Sequence, residues 1–153
     1  MKKITALVLS VVLILSLAAC GGSTKARDID INTMAEKLVS GIEYDDELSL
    51  MEDYLFAYLY GDVTIEDVDS FVIYISSGAT AEEVACFKAI DESAAQSIET
   101  GLKSHIEDQI ESFTDYVPAE VKRLEDAVLV REGQYVILSV SGSPEEAKKI
   151  INE

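Results

Sequence analysis

The residues of this chain that could most readily take part in chemistry are two cysteines, one histidine and several groups of carboxylates. The first cysteine lies in the stretch Leu17-Ala18-Ala19-Cys20-Gly21, where one aliphatic residue and two small residues precede the thiol. Small residues suit the groove of a signal peptidase, and the thiol is an acceptor for diacylglycerol. The pattern predicts cleavage between Ala19 and Cys20, with lipid attached to Cys20.

The residues before Cys20 have the order of a bacterial signal peptide. Lys2 and Lys3 form a positive region, and residues 4–19 are apolar or small and carry no charge. This stretch is shorter than the ~20 apolar residues that a membrane-spanning helix needs. We therefore expect residues 1–19 to be a lipoprotein signal peptide; a retained membrane anchor and an ordinary secreted protein are the weaker alternatives.

Lipid on Cys20 would fix the location of the mature chain. Two acyl chains, at ~0.8 kcal/mol per buried methylene, contribute on the order of 20 kcal/mol of membrane affinity. Small and polar residues follow the cysteine, so residues 20–29 are expected to be a lipidated, flexible tether. The membrane, reached through Cys20, is the first predicted partner, and the predicted location is the extracytoplasmic face of the cell membrane.

The single histidine and the second cysteine offer little for catalysis. His105 alone cannot form a zinc site or a catalytic triad, and we expect it at the surface or at the boundary of the core. Cys86 lies among apolar residues and is expected to be a buried small hydrophobe. With Cys20 lipidated, no intramolecular disulfide is predicted.

Carboxylates dominate the charge of the chain, which has 29 acidic and 12 basic residues and a formal net charge of −17. Such a surface repels phosphate backbones, so nucleic acid is not an expected partner. The groups at residues 43–47 and 62–69 have the oxygen ligands that calcium prefers, but neither has the spacing of an EF-hand loop. Solvated faces are expected there, and no metal or cofactor is predicted.

Four aromatic residues are concentrated in one short segment, at Tyr54, Phe56, Tyr58 and Tyr60. Residues of this kind usually fill a core, with the tyrosine hydroxyls at its edge. The alternative is that exposed rings stack on sugars or peptides of a cell wall.

The apolar periodicity then places these residues on elements. Helices are expected at residues 30–41 and 48–61, in a long helix from 92 to the break at Pro118, near 121–124 and from 144 onward. Strands are expected at 70–76, 83–90, 127–131 and 134–141, although 83–90 also has a helical alternative. This order predicts a single α+β domain over residues 30–153, with an antiparallel sheet of about four strands in two hairpins and helices packed mainly on one face.

Three local motifs stand out: the glycine-containing turn at residues 76–83, the segment 116–121 after the long helix, and the Glu132-Gly133 hairpin. In these motifs the chain resembles a family of short lipoproteins of unknown function from Gram-positive bacteria. The resemblance covers nearly all of the mature domain. It implies the fold and the address of the family, favours a strand at 83–90, and transfers no catalytic residue.

Together these features favour a non-enzymatic binding or accessory module at the cell surface. Its partner would be a protein, a cell-wall component or a small ligand. The alternatives are a structural subunit of an envelope complex and, less favoured, an envelope hydrolase, for which no nucleophile-base pair is evident.

Overall fold

The computed structural model describes residues 27–153. The predicted signal peptide, the cleavage site between Ala19 and Cys20, the lipidation of Cys20 and most of the predicted tether lie outside these residues. The helices are α1 (Ile31–Gly41), α2 (Phe56–Leu59), α3 (Glu92–Thr114), α4 (Pro118–Glu125) and α5 (Pro144–Ile151). The strands are β1 (Ser49–Leu50), β2 (Val68–Ile75), β3 (Glu83–Ala89), β4 (Val128–Glu132) and β5 (Tyr135–Val140). Within this part of the chain, no helix is both long enough and apolar enough to cross a membrane.

The strands form one antiparallel sheet in the order β1-β2-β3-β5-β4. Both predicted hairpins, β2–β3 and β4–β5, are present, and β1 adds a fifth, two-residue strand at the edge of β2. The β4–β5 turn has two residues between the paired Glu132 and Tyr135, and the first of them, Gly133, has φ 57°. Glycine adopts this positive φ without strain, as a tight hairpin turn requires.

Helices cover both faces of the sheet. Along β3, Val84 and Cys86 pack in a core with α1 and α5, whereas Ala85 and Phe87 pack in a second core with α2, α3 and α4. The α+β class is confirmed, but the helices are distributed more evenly than the expected arrangement mainly on one face. The reason is that β3 and β5 carry apolar side chains in both directions, so both faces have to be shielded from water.

Most of the expected elements appear with their expected boundaries. The Asp91 side chain accepts from the backbone N–H of Ala94 and caps the start of α3, which begins at the expected residue 92. The first helix is capped by Asp30, whose carboxylate accepts from the backbone N–H groups of Asn32 and Thr33. The strand at 83–90 is also confirmed, as β3.

The prediction of a helix at residues 48–61 is mostly wrong. The segment instead contains β1, a 3₁₀ turn (Asp53–Leu55) and the four-residue helix α2. Leu50 pairs with Tyr74, and the backbone N–H of Met51 donates to the carbonyl of Ile73 at 2.8 Å. The start of the segment thus pairs with the edge of β2, and this pairing gives the backbone groups of the segment hydrogen-bond partners.

Candidate functional site

A pocket of about 280 Å³ opens between the β2–β3 turn and the middle of α3. One wall comes from the end of α2 and one from the β2–β3 turn. The third comes from His105, Gln109 and Phe113 of α3, which are spaced four residues apart and therefore lie on one helix face. The lining residues are Leu59, Tyr60, Ile75, Ser76, Gly78, Thr80, Ala81, Glu82, Glu83, His105, Gln109 and Phe113.

Three buried polar side chains form a connected cluster in the pocket wall. The Tyr60 hydroxyl donates to Oε1 of Glu83 at 2.6 Å, and Nε2 of His105 lies 3.0 Å from Oε2 of the same carboxylate. The rings of Tyr60 and His105 stack with their centroids 4.6 Å apart. Their side chains are almost inaccessible to solvent. Glu83 therefore joins a hydroxyl and an imidazole within the core.

The surroundings of His105 favour its charged form. Burial alone would lower the pKa of His105, but the hydrogen bond to Glu83 and the charge of that carboxylate act in the opposite direction, helped by the Leu59 carbonyl and by Asp108. The net result is a pKa of His105 above its ordinary value. Burial, followed by the nearby Glu83, raises the pKa of Tyr60 well above its usual range, so that hydroxyl stays a donor.

Local structure explains why these three side chains meet. Glu83 is on the face of β3 that Ala85 and Phe87 also occupy, which is the face toward α3. His105 follows Gly101 by one turn of α3, and a Cβ on Gly101 would overlap the carbonyl of Asp62 and approach Cα of Val63 to 3.1 Å. The absence of a side chain at Gly101 lets the chain after Tyr60 lie directly against α3.

A second polar cluster lies behind the turn wall and is centred on Arg123 of α4. Its guanidinium pairs with Glu120 at 2.6 Å, with Glu82 at 3.5 Å and with Asp45. Glu82 also accepts from the backbone N–H groups of Asp45 and Asp46 at 3.0 and 2.9 Å. This cluster ties the loop before β1, the β2–β3 turn and α4 together, and it holds one side of the pocket in place.

Comparison with known families finds a match for most of the chain. Residues 42–141 match a family described as a domain of unknown function, DUF4358. The chain belongs to the DUF4358 family. The matched segment contains every residue that lines the pocket, and α1 and α5 lie outside it. Comparisons with curated proteins and with solved structures find no match.

The DUF4358 segment also contains the three motifs on which the sequence resemblance rests, at 76–83, 116–121 and Glu132-Gly133. The first of them forms part of the pocket: Gly78, with φ 93°, is in the β2–β3 turn, and Glu83 begins β3. The turn therefore has a place in the site and is more than a connection between strands.

The structure places His105 differently from the sequence expectation. It is 6% exposed and paired with Glu83, so the expected surface or boundary position is wrong. Glu83 and Gln109 were not predicted as site residues. The available signals were weak: Glu83 opens an apolar strand, and Gln109 follows His105 by four residues on the long helix.

Three of the carboxylates considered for calcium have other partners within the DUF4358 segment. Asp46 accepts from the backbone N–H of Ser77 at 2.9 Å and from its hydroxyl, while Asp45 pairs with Arg123. In the second group, Asp69 pairs with Lys88 at 3.2 Å. In residues 27–153 no group of three or more histidine, cysteine or carboxylate side chains has an arrangement that could hold a metal ion.

The aromatic residues divide into two sets. Phe56 and Tyr60 are buried as expected, whereas Tyr54 and Tyr58 are 78% and 90% exposed, so the core expectation is wrong for these two. Cys86 is fully buried on the opposite face of the sheet, where burial raises the pKa of its thiol to about 12. The expectation of a buried cysteine is confirmed.

Proposed function

We propose that this protein is a lipid-anchored, non-enzymatic binding module at the extracytoplasmic face of the cell membrane, and that the pocket beside α3 is its binding site. The observation that carries the proposal is the pocket itself. It combines apolar side chains, among them Leu59, Ile75 and Phe113, with a few converging polar groups at a buried carboxylate. Sites for small ligands usually have this composition.

The hydrogen bonding of the pocket favours binding over catalysis. The hydroxyl of Ser76 donates to the carbonyl of Thr80 at 2.6 Å, and the hydroxyl of Thr80 donates to Glu82 at 3.0 Å. Nε2 of His105 is engaged by Glu83, so the imidazole is not poised to deprotonate either hydroxyl. This arrangement supports a preformed receptor more than an envelope hydrolase.

The anchor is supported by the sequence around Cys20 and by the resemblance to lipoproteins of Gram-positive bacteria. In this proposal the signal peptide of residues 1–19 is removed, and residues 21–26 separate the lipidated cysteine from Arg27, where the described domain begins. Such a short tether would keep the binding site close to the membrane.

The binding site can be tested with the full-length protein purified from membranes and analysed by native mass spectrometry for a bound small molecule. Leu59→Trp places a large ring at the rim of the pocket and is expected to abolish the bound species. Leu50→Trp is the matched control, since Leu50 is 61% exposed and does not line the pocket. A ligand that persists in Leu59→Trp, or a wild type without any ligand, would contradict the proposal.

A subunit of an envelope complex is the second candidate, and exposed apolar residues before and along α2 favour it. Leu50, Tyr54 and Tyr58 are largely exposed, and the two tyrosines are four residues apart in one continuous helical segment, hence on one side of it. Affinity purification of the wild type and of the double variant Tyr54→Ser/Tyr58→Ser would separate the two functions. A partner lost only in the double variant would support the subunit role.

A further inference from the structure

The pocket has many hydrogen-bond acceptors and few available donors. Tyr60 donates to Glu83, Ser76 donates to the Thr80 carbonyl, and Thr80 donates to Glu82. Nε2 of His105 is directed at Glu83, and the Leu59 carbonyl also favours the protonated imidazole. The side-chain donors of the pocket are therefore already committed to protein acceptors, with the exception of one amide.

That exception is Gln109, which is half-buried on the pocket side of α3 and makes no side-chain hydrogen bond within residues 27–153. Its amide offers one acceptor and two donors. Glu83 accepts one hydrogen bond at each carboxylate oxygen, and each oxygen has a second lone pair. A ligand entering beside Glu83 and Gln109 therefore meets mainly lone pairs.

The charge of the molecule acts in the same direction. The whole chain has a formal net charge of −17, and such a field attracts cations and repels anions at the mouth of a pocket. Asp108, on the same helix, is close enough to influence His105. A ligand carboxylate or phosphate would meet this field without a free cationic side chain among those that line the pocket.

From the committed donors and the free lone pairs at Glu83 and Gln109, we propose that the ligand of this pocket is a small organic cation with a primary ammonium group on a short aliphatic chain. The ammonium group donates to Glu83 and to the Gln109 carbonyl, and the aliphatic part contacts Leu59, Ile75 and Phe113. This inference rests on the proposed function, because it names the class of ligand for the same pocket.

Three probes that differ only in one terminal group test the ligand class. They are 5-aminopentan-1-ol, pentane-1,5-diol and 6-hydroxyhexanoate, each titrated into the full-length protein in detergent at about 0.15 M salt, which screens distant surface charges. Binding is measured by ligand-detected nuclear magnetic resonance. The amine is expected to bind at least about tenfold more tightly than the diol, and the carboxylate is expected to show no binding.

Charge changes at Gln109 provide a second test that leaves the buried Glu83 cluster intact. Gln109→Glu is expected to strengthen amine binding about three- to tenfold, and Gln109→Lys is expected to weaken it at least about tenfold. Gln96→Glu and Gln96→Lys are the matched controls, because Gln96 is exposed on the same helix about 20 Å away. These controls are expected to leave the affinity within about twofold of the wild type.

The outcomes distinguish this inference from the proposed function. Equal or tighter binding of the diol or the carboxylate, no binding of any probe, or Gln109 variants that behave like the Gln96 variants would overturn the ligand class. The binding function would still stand if Leu59→Trp removed the native ligand from the purified protein. A native ligand retained in Leu59→Trp would overturn both.

Discussion

A carboxylate that is 5% exposed, Glu83, connects Tyr60 and His105, two further buried polar groups of the pocket. Placing such a group in a core is costly unless its oxygens are hydrogen-bonded and its charge is balanced. Tyr60 supplies a hydroxyl and His105 supplies a ring nitrogen, so each carboxylate oxygen of Glu83 has a hydrogen-bond partner. Removing any one of these three side chains leaves at least one buried polar atom without its hydrogen-bond partner.

The His105–Glu83 pair makes stability depend on pH. The pKa of His105 is raised in the folded state, so the folded chain retains a proton that the unfolded chain releases above its ordinary pKa near 6.5. The stabilisation is fully present below that value and is lost as pH rises through the raised folded pKa. We expect the free energy of unfolding to fall from pH 6 to pH 9, by at most about 1.4 kcal/mol per pH unit.

Urea denaturation at a series of pH values measures this dependence, and His105→Gln should remove it. The groups facing the imidazole are Glu83 of β3, Tyr60 after α2 and Asp108 of α3 itself, besides the Leu59 carbonyl. His105 is the only histidine of the chain. A wild type whose stability rises over this interval, or a variant with an unchanged slope, would refute the role of the pair.

Arg123 compensates two other buried carboxylates. Its side chain is 13% exposed, and those of Glu82 and Glu120 are 1% and 9% exposed. Arg123→Met would leave both carboxylates without a cation, which should cost about 3 kcal/mol or more of folding free energy. Lys122→Met is the neighbouring control: Lys122 forms an exposed pair with Asp126, and its loss should leave the urea midpoint almost unchanged. Equal effects of the two substitutions would contradict this assignment.

At the scale of the elements, the close contact between α3 and the chain after α2 positions the site. Gly101 allows this contact, and Tyr60 and His105 lie on its two sides. A glycine inside a helix usually costs ~1 kcal/mol relative to alanine, so a reason for its presence has to come from packing. Here the reason is the backbone of residues 62–63.

Gly101→Ala should therefore destabilise the protein in spite of the better helix propensity of alanine. A new Cβ would overlap backbone atoms of Asp62, which cannot move aside as a flexible side chain can. The expected loss is about 1–3 kcal/mol in thermal or urea unfolding. Gly61→Ala is the control, since its nearest neighbour would be the Ala57 carbonyl at 3.8 Å. A stabilised Gly101→Ala protein would show that the contact is looser than described.

The sequence revealed the elements better than the site. Local sequence patterns located α3 and three of the four longer strands because these features depend on neighbouring residues along the chain, whereas at 83–90 the pattern left a helical alternative open and the family resemblance favoured the strand. The segment 48–61 was misjudged because its hydrogen-bond partner, the edge of β2, is distant in sequence. The same limit applies to the site: Glu83 is 23 residues after Tyr60 and 22 residues before His105, and the three meet only through tertiary packing.

At the scale of the whole molecule, a sheet covered on both faces carries a pocket on the side of α2, α3 and α4. The net charge of the whole chain is −17, and a charge of this sign repels anionic surfaces. The membrane location that we propose therefore needs an anchor other than the charge of the domain. Lipid on Cys20 would meet this need, since two acyl chains outweigh the repulsion of surface charges by a wide margin.

Metabolic labelling with an alkyne fatty acid tests the anchor, and the two cysteines provide a matched pair of variants. The wild type is expected to be labelled and to run at the size of a chain cut before Cys20. Cys20→Ser should lose the label and retain the signal peptide, because the lipid is added to the thiol before cleavage. Cys86→Ser should keep the label, since Cys86 is buried and the pKa of its thiol is raised to about 12. A label that persists in Cys20→Ser, or is absent from the wild type, would exclude lipidation at this cysteine and with it the membrane-anchored role.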